Sequence, residues 1–156
     1  MSFDLATYTL VHVGLSLVGI VSGLVVLLGL LAGRRLKVST ALFLATTVAT
    51  SVTGYGFPFT HLLPSHVVGA ISLAVLAVAI YARYVRHLAG GWRATYALCA
   101  VAALYFNVFV LVVQSFLKVP ALHTLAPSQS EPPFAIAQLG VLVLFIILGT
   151  LSVRRS

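Results

Sequence analysis

The side chains here that could do chemistry are a few histidines, two amides and one isolated lysine. His12, Ser16, Gly19 and Gly23 follow i, i+4, i+7, i+11 spacing, so one helix face carries all four. On such a face His12 is either a hydrogen-bonded packing group or a ligand and proton acceptor. Gly19 and Gly23 form a GxxxG seam that admits a second helix at close range. His66 closes the segment Thr60-His-Leu-Leu-Pro-Ser-His66. Imidazoles from two helices can hold a haem iron axially, or a transition metal when a third ligand joins them. His61 and His123 are the reserve ligands in that reading. The signal is a loose one, because the sequence has no Cys-x-x-Cys-His attachment motif.

Ala100, Ala103, Asn107, Gln114 and Lys118 share another helical face. An unpaired amide in mid-bilayer is costly, so Asn107 is expected to bond to a neighbouring helix, best of all a threonine-rich one. A purely structural role, helix glue, is enough for Asn107. A functional role makes Asn107 and Gln114 the wall of a cavity with Lys118 at its mouth. The candidate ligand pocket is therefore His12, His66, Asn107, Gln114 and Lys118. The candidate metal or haem ligands are His12, His61, His66 and His123. Lys118 is also expected either to snorkel into the interface or to bridge to Glu131, which with Asp4 is one of two acids in the chain. Tyr8, Tyr55, Phe57, Phe59, Tyr105 and Phe116 fit an interfacial aromatic belt and would also suit the wall of a quinone or haem pocket.

Missing motifs narrow the classes. No Walker loop, GxGxxG, GxSxG or HExxH occurs. Ser65 and His66 are adjacent, the wrong geometry for a rhomboid-like Ser/His pair. Ion-coupled transport usually needs an acid inside a span, and here the long apolar runs contain none. Cys99 is the sole cysteine, so neither an intramolecular disulfide nor a Cys-x-x-Cys metal site is available.

The elements that position these residues are membrane spans. Charged residues make up 7% of the chain, against about 25% in a soluble domain. Leu5 to Gly33, Val38 to Ala82, Ala94 to Leu117 and Pro132 to Val153 carry no Asp, Glu, Lys or Arg. Each exceeds or matches the roughly 20 residues that cross a hydrocarbon core. Backbone polar groups must be paired inside that core, so the runs are expected to be helices; a barrel would alternate at period two. The second run, as one helix, would reach about 67 Å. Gly54, Gly56, Pro58 and Pro64 break it into two.

The expectation is an all-α, polytopic transmembrane bundle forming one domain over 1–156. Its five spans are 6–32, 39–55, 65–85, 92–118 and 134–153, with an irregular outer loop over 119–133. The first run is read as a span, not a cleavable leader, because it is too long and Asp4 precedes it. Eight of nine basic residues fall on one side of this topology and Lys118 alone on the other. The positive-inside rule then puts the N-terminus outside and the C-terminus in the cytoplasm.

Net charge of +7 does not signal nucleic acid, because the basic residues sit at span ends. Abundant Ala, Val, Leu and Gly, with Arg preferred over Lys, suggest a bacterial inner membrane. The expected role is a non-enzymatic membrane module: a subunit, assembly or partner-binding protein embedded in lipid, with other membrane subunits or copies of itself as further candidate partners. The alternatives are a haem- or metal-binding protein with an outward-facing histidine site, and a small solute carrier or channel.

Overall fold

A computed structural model describes residues 4–58, 60–62 and 64–155. Phe59 of the aromatic set and Leu63 of the His66 segment lie outside the described residues. Six α-helices and one π-turn account for the architecture: α1 (Leu5–Leu31), α2 (Lys37–Gly54), α3 (Pro64–Ile80) continuing into a π-turn (Tyr81–Val85), α4 (Trp92–Lys118), α5 (Pro120–Leu125) and α6 (Pro132–Arg155). No strand occurs among the described residues.

Asp4 starts α1. Its carboxylate accepts from the Thr7 N–H at 2.8 Å and so satisfies a backbone donor that the first turn cannot. Gly33, at φ 69°, turns the chain in a left-handed conformation that favours glycine. α2 then returns antiparallel along the whole of α1. Gly29 faces Leu36, Gly23 faces Phe43, Gly19 faces Thr46 and Thr47, and His12 faces Thr53. The expected GxxxG seam is real in this packing: a Cβ on Gly23 would stand 2.7 Å from Leu104 Cδ1 and 2.8 Å from Phe43 Cε1. Only hydrogen fits where three helices meet.

α4 is the central element. Its Ala97, Ala100 and Ala103 are buried together with Leu104, and such small residues let α1, α3 and α6 approach. Phe43, Leu76 and Leu104 are the large, fully buried core side chains. α6 lies along α4 through the Phe116–Phe134 edge contact (5.4 Å) and the tilted Tyr105–Phe145 pair (5.7 Å). The Gln138 amide donates to the Phe109 carbonyl at 3.2 Å.

α1, Ser65–Val85, α4 and α6 are each long and apolar enough to cross a membrane. α2 is not among them, and its composition is the reason. It has 18 residues, begins at Lys37 and carries Thr40, Thr46, Thr47, Thr50 and Thr53.

Two other features depart from the expected layout. Segment 119–133 is not wholly irregular, because Pro120 opens α5. Proline before a helix fixes φ at a helical value and lacks only a donor that would be unpaired anyway. Pro132 starts α6 two residues before the expected boundary at Phe134. Pro120 thus both limits α4 and starts α5. The other departure is at the end of the third span, where the helix loosens into the π-turn, with the Arg86 N–H reaching back to the Tyr81 carbonyl.

Candidate functional site

Near the Lys118 end of the bundle, α1, α2, α3 and α4 enclose a cavity of about 570 Å³. This is within the usual size of a small-molecule site. His12, His66, Asn107, Gln114 and Lys118 all line it. Its apolar wall comes from Val13, Leu17, Phe57, Val68, Phe106 and Val110. Small hydroxyl side chains complete it, among them Ser16, Thr50, Ser51 and Ser72.

The helix phases explain the grouping. Ser16 and His12 sit one and two turns above the glycine seam on the same face of α1, beyond the tight packing at Gly19 and Gly23. Asn107, Gln114 and Lys118 continue up the corresponding face of α4. Asn107 stands at the floor, donating to Thr47 Oγ1 at 3.3 Å, so the amide bonds to the threonine-rich helix as its placement in the sequence requires.

His12 is held by a short network. Its Nδ1 lies 2.8 Å from Thr53 Oγ1. The Thr53 hydroxyl proton is already directed at the Ala49 carbonyl, 2.7 Å away. With the Thr53 proton on the Ala49 carbonyl, Thr53 Oγ1 accepts from Nδ1–H, the tautomer that leaves the lone pair on Nε2. Phe57 packs edge-on against the same imidazole at 5.1 Å and against Tyr8 at 4.9 Å. Tyr8 donates its hydroxyl to the Thr53 carbonyl. The turn between α2 and α3 is thus clamped over His12.

His66 is 5% exposed. Its ring stacks on Tyr55 at 5.3 Å and 24°, while the Tyr55 hydroxyl donates to the His66 carbonyl. Gly69 makes that stack possible: a Cβ there would press to 3.2 Å from the Tyr55 hydroxyl. Lys118 is exposed at the rim, and its charge is within electrostatic reach of His12.

The remaining sequence candidates lie elsewhere. His61 is exposed in the α2–α3 turn and faces Thr60 Oγ1 at 3.3 Å. His123, on α5, has Nδ1 3.3 Å from the Phe116 carbonyl. Neither lines the cavity. Among the described residues no group of three His, Cys, Asp or Glu side chains gathers to hold a metal. Nor does any ion pair join Lys118 to Glu131 among them. The Glu131 carboxylate instead accepts from the Ser128 hydroxyl at 2.7 Å and from the Ser128 and Ser130 N–H groups. These bonds, the Ser128 hydroxyl foremost, hold its carboxyl below the usual carboxylate range. The Lys118–Glu131 bridge is corrected on that ground: the acid satisfies its own loop.

No protein-family model, no curated protein and no solved structure matches this chain. The site must therefore be read from its own chemistry. Asn107 and Lys118 provide donors, His12 Nε2 provides an acceptor, and the walls are largely apolar. The sequence reading missed Ser51 and Ser72, whose hydroxyls meet across α2 and α3 at 3.4 Å, and it missed Gln129, which donates to the Val113 carbonyl and ties segment 119–133 to α4. Serines in apolar helices give little signal by themselves, since most bond back to their own helix.

Proposed function

We propose that the chain is a five-span, non-enzymatic membrane module whose cavity at the Lys118 end binds a small amphipathic molecule with an oxygenated head group. The observation that carries this is the convergence of four helices on one cavity that is apolar in its walls and supplies both donors and an acceptor. The ligand's head would accept from Lys118 and Gln114 and donate to His12 Nε2; its body would lie against Leu17, Phe57 and Phe106. A quinol-like or hydroxylated lipid-like molecule has that pattern.

α2 serves as the fifth span in this reading. The Thr46, Thr50 and Thr53 hydroxyls donate to the carbonyls of Leu42, Thr46 and Ala49. Their polarity is spent within the helix, so α2 costs less to bury than its composition implies. The arginine-rich end would face the cytoplasm of a bacterial cell, with the cavity opening toward the outer face.

Native mass spectrometry of protein purified gently from its own membrane tests the reading. The wild type should retain a small molecule that Ser72→Phe, which fills the cavity, does not. Identical spectra for the two proteins would sink it. His12 and His66 on one cavity also support a second reading, haem held axially between them. The visible spectrum of the same sample decides it: a Soret band lost in His12→Ala would carry that reading, and colourless protein would remove it.

A further inference from the structure

The opposite end of the bundle holds a second cavity of about 200 Å³. It is large enough for several waters, each taking roughly 30 Å³, or for one phosphate-sized anion. Five arginines from separate parts of the chain line it: Arg34 and Arg35 after α1, Arg83 in the π-turn, Arg93 at the start of α4 and Arg155 at the end of α6. Topology alone does not require this convergence. The positive-inside rule asks only for basic residues on one side, and Arg86 meets it by lying over the Trp92 ring, away from the cavity.

The cavity contains no acid. Its lining has neither Asp nor Glu, and the chain's two acids are committed elsewhere, Asp4 to the cap of α1 and Glu131 to its own loop. Guanidinium groups around so small a space repel one another unless an anion joins them. Tyr96 is an independent pointer. It is 2% exposed and lines the same cavity, and its buried hydroxyl has no partner in good hydrogen-bonding geometry, although Thr40 and Arg83 are its polar neighbours. Arg83 lies over its ring at 5.5 Å. A buried hydroxyl left unpaired is costly, and an oxyanion in the cavity would accept its proton. Arg155 is already oriented, donating from Nη1 to the Leu31 carbonyl at 2.9 Å.

We propose that this arginine cavity binds a phosphate-bearing anion, with Tyr96 donating to one oxygen and the guanidiniums pairing the rest. Arginine suits the role because its planar fork matches phosphate oxygens in pairs. The π-turn carries Arg83 on the cavity wall, and such turns are frequent at functional sites. The ligand is either the phosphodiester of an acidic membrane lipid or free phosphate.

The test uses the full chain in nanodiscs of phosphatidylcholine with titrated phosphatidylglycerol, read by native mass spectrometry, beside a titration with inorganic phosphate. The wild type should retain phosphatidylglycerol over phosphatidylcholine. Arg93→Gln should weaken retention about tenfold or more, as expected for a lost hydrogen bond to a charged group and beyond the roughly fivefold of one surface charge. Tyr96→Phe, which removes only the hydroxyl, should also weaken it, while Arg86→Gln should cost no more than the surface-charge effect of about fivefold. Helicity and elution volume check that each variant is folded. Loss of the bound lipid on adding millimolar phosphate supports free phosphate as the ligand, and retention supports the lipid headgroup. Equal losses in Arg86→Gln and Arg93→Gln would show a diffuse surface charge and overturn the site, as would no preference for phosphatidylglycerol and no uptake of phosphate.

Discussion

Asn107 on α4 donates to the Thr47 hydroxyl on α2 across 3.3 Å, and Gly19 of α1 leaves the room for that bond. A Cβ at Gly19 would stand 3.2 Å from Thr47 Oγ1 and 3.4 Å from Asn107 Nδ2. Three helices thus meet at one polar contact, directly beneath the cavity. Polar bonds between membrane helices couple modestly, about 0.6 kcal/mol on average and up to about 1.7. A double-mutant cycle of Asn107→Leu and Thr47→Val, read by unfolding in mixed micelles, should give a coupling in that range. Strict additivity would mean that the bond does not hold α4 to α2.

The glycine seam gives a sharper contrast. Gly23→Ala drives a methyl into Leu104 and Phe43, both in the packed core. Overpacking of this kind costs about 1–3 kcal/mol. Gly14→Ala adds the same methyl to the same helix where nothing lies within 4 Å. It should be neutral, or stabilise by about 0.5–1 kcal/mol through helix propensity. If the two variants unfold alike, α1 is not packed through this seam.

Two carboxylates give the ends of α1 and α6 an acid dependence. The Thr7 hydrogen bonds hold the Asp4 carboxyl below its ordinary value, and the Ser128 hydroxyl does so for Glu131. A depressed folded pKa means that the charged form stabilises the fold. That contribution is complete above the unfolded pKa, near 4 for both residues, and is lost as pH falls through the lower folded value. Amide exchange at Thr7 and Ser128 should stay slow from neutral pH to about 5 once corrected for intrinsic exchange rates, then lose protection on further acidification. Asp4→Ala should abolish the change at Thr7 and leave that at Ser128. A transition at Thr7 that survives Asp4→Ala would assign it to another group.

The bundle was legible because charge-free runs and helix breakers act locally. Asn107 was legible too, since a lone amide among apolar residues must find a partner. The helix faces of His12 and of Asn107, Gln114 and Lys118 follow from their spacing, and these residues line one cavity with His66. What the sequence did not reveal depended on which element turns toward which. His61 looks like His66 in the chain, yet one is exposed and the other stacks on Tyr55. Lys118 and Glu131 are opposite charges at one end of the bundle, but the local Ser128 contacts win because they cost no loop rearrangement. The arginine cavity was invisible for the same reason: its members read as topology signals until the π-turn brings Arg83 beside Arg93 and Tyr96.

Whether α2 crosses the bilayer can be decided by labelling. With Cys99→Ala as background, single cysteines go at four exposed positions: Ala32 before α2, Thr60 after it, Ala89 between α3 and α4, and Thr124 on α5. The proposed five-span topology, which places eight of nine basic residues on one side, predicts the pattern under the positive-inside rule. Thr60→Cys and Thr124→Cys should react with a membrane-impermeant maleimide in intact cells. Ala32→Cys and Ala89→Cys should react only after permeabilisation. The Ala32 and Thr60 pair is decisive, because α2 alone separates them. If both label from the same side, the threonine helix lies within the bundle without crossing, and the cavity floor at Thr47 must be reconsidered with it.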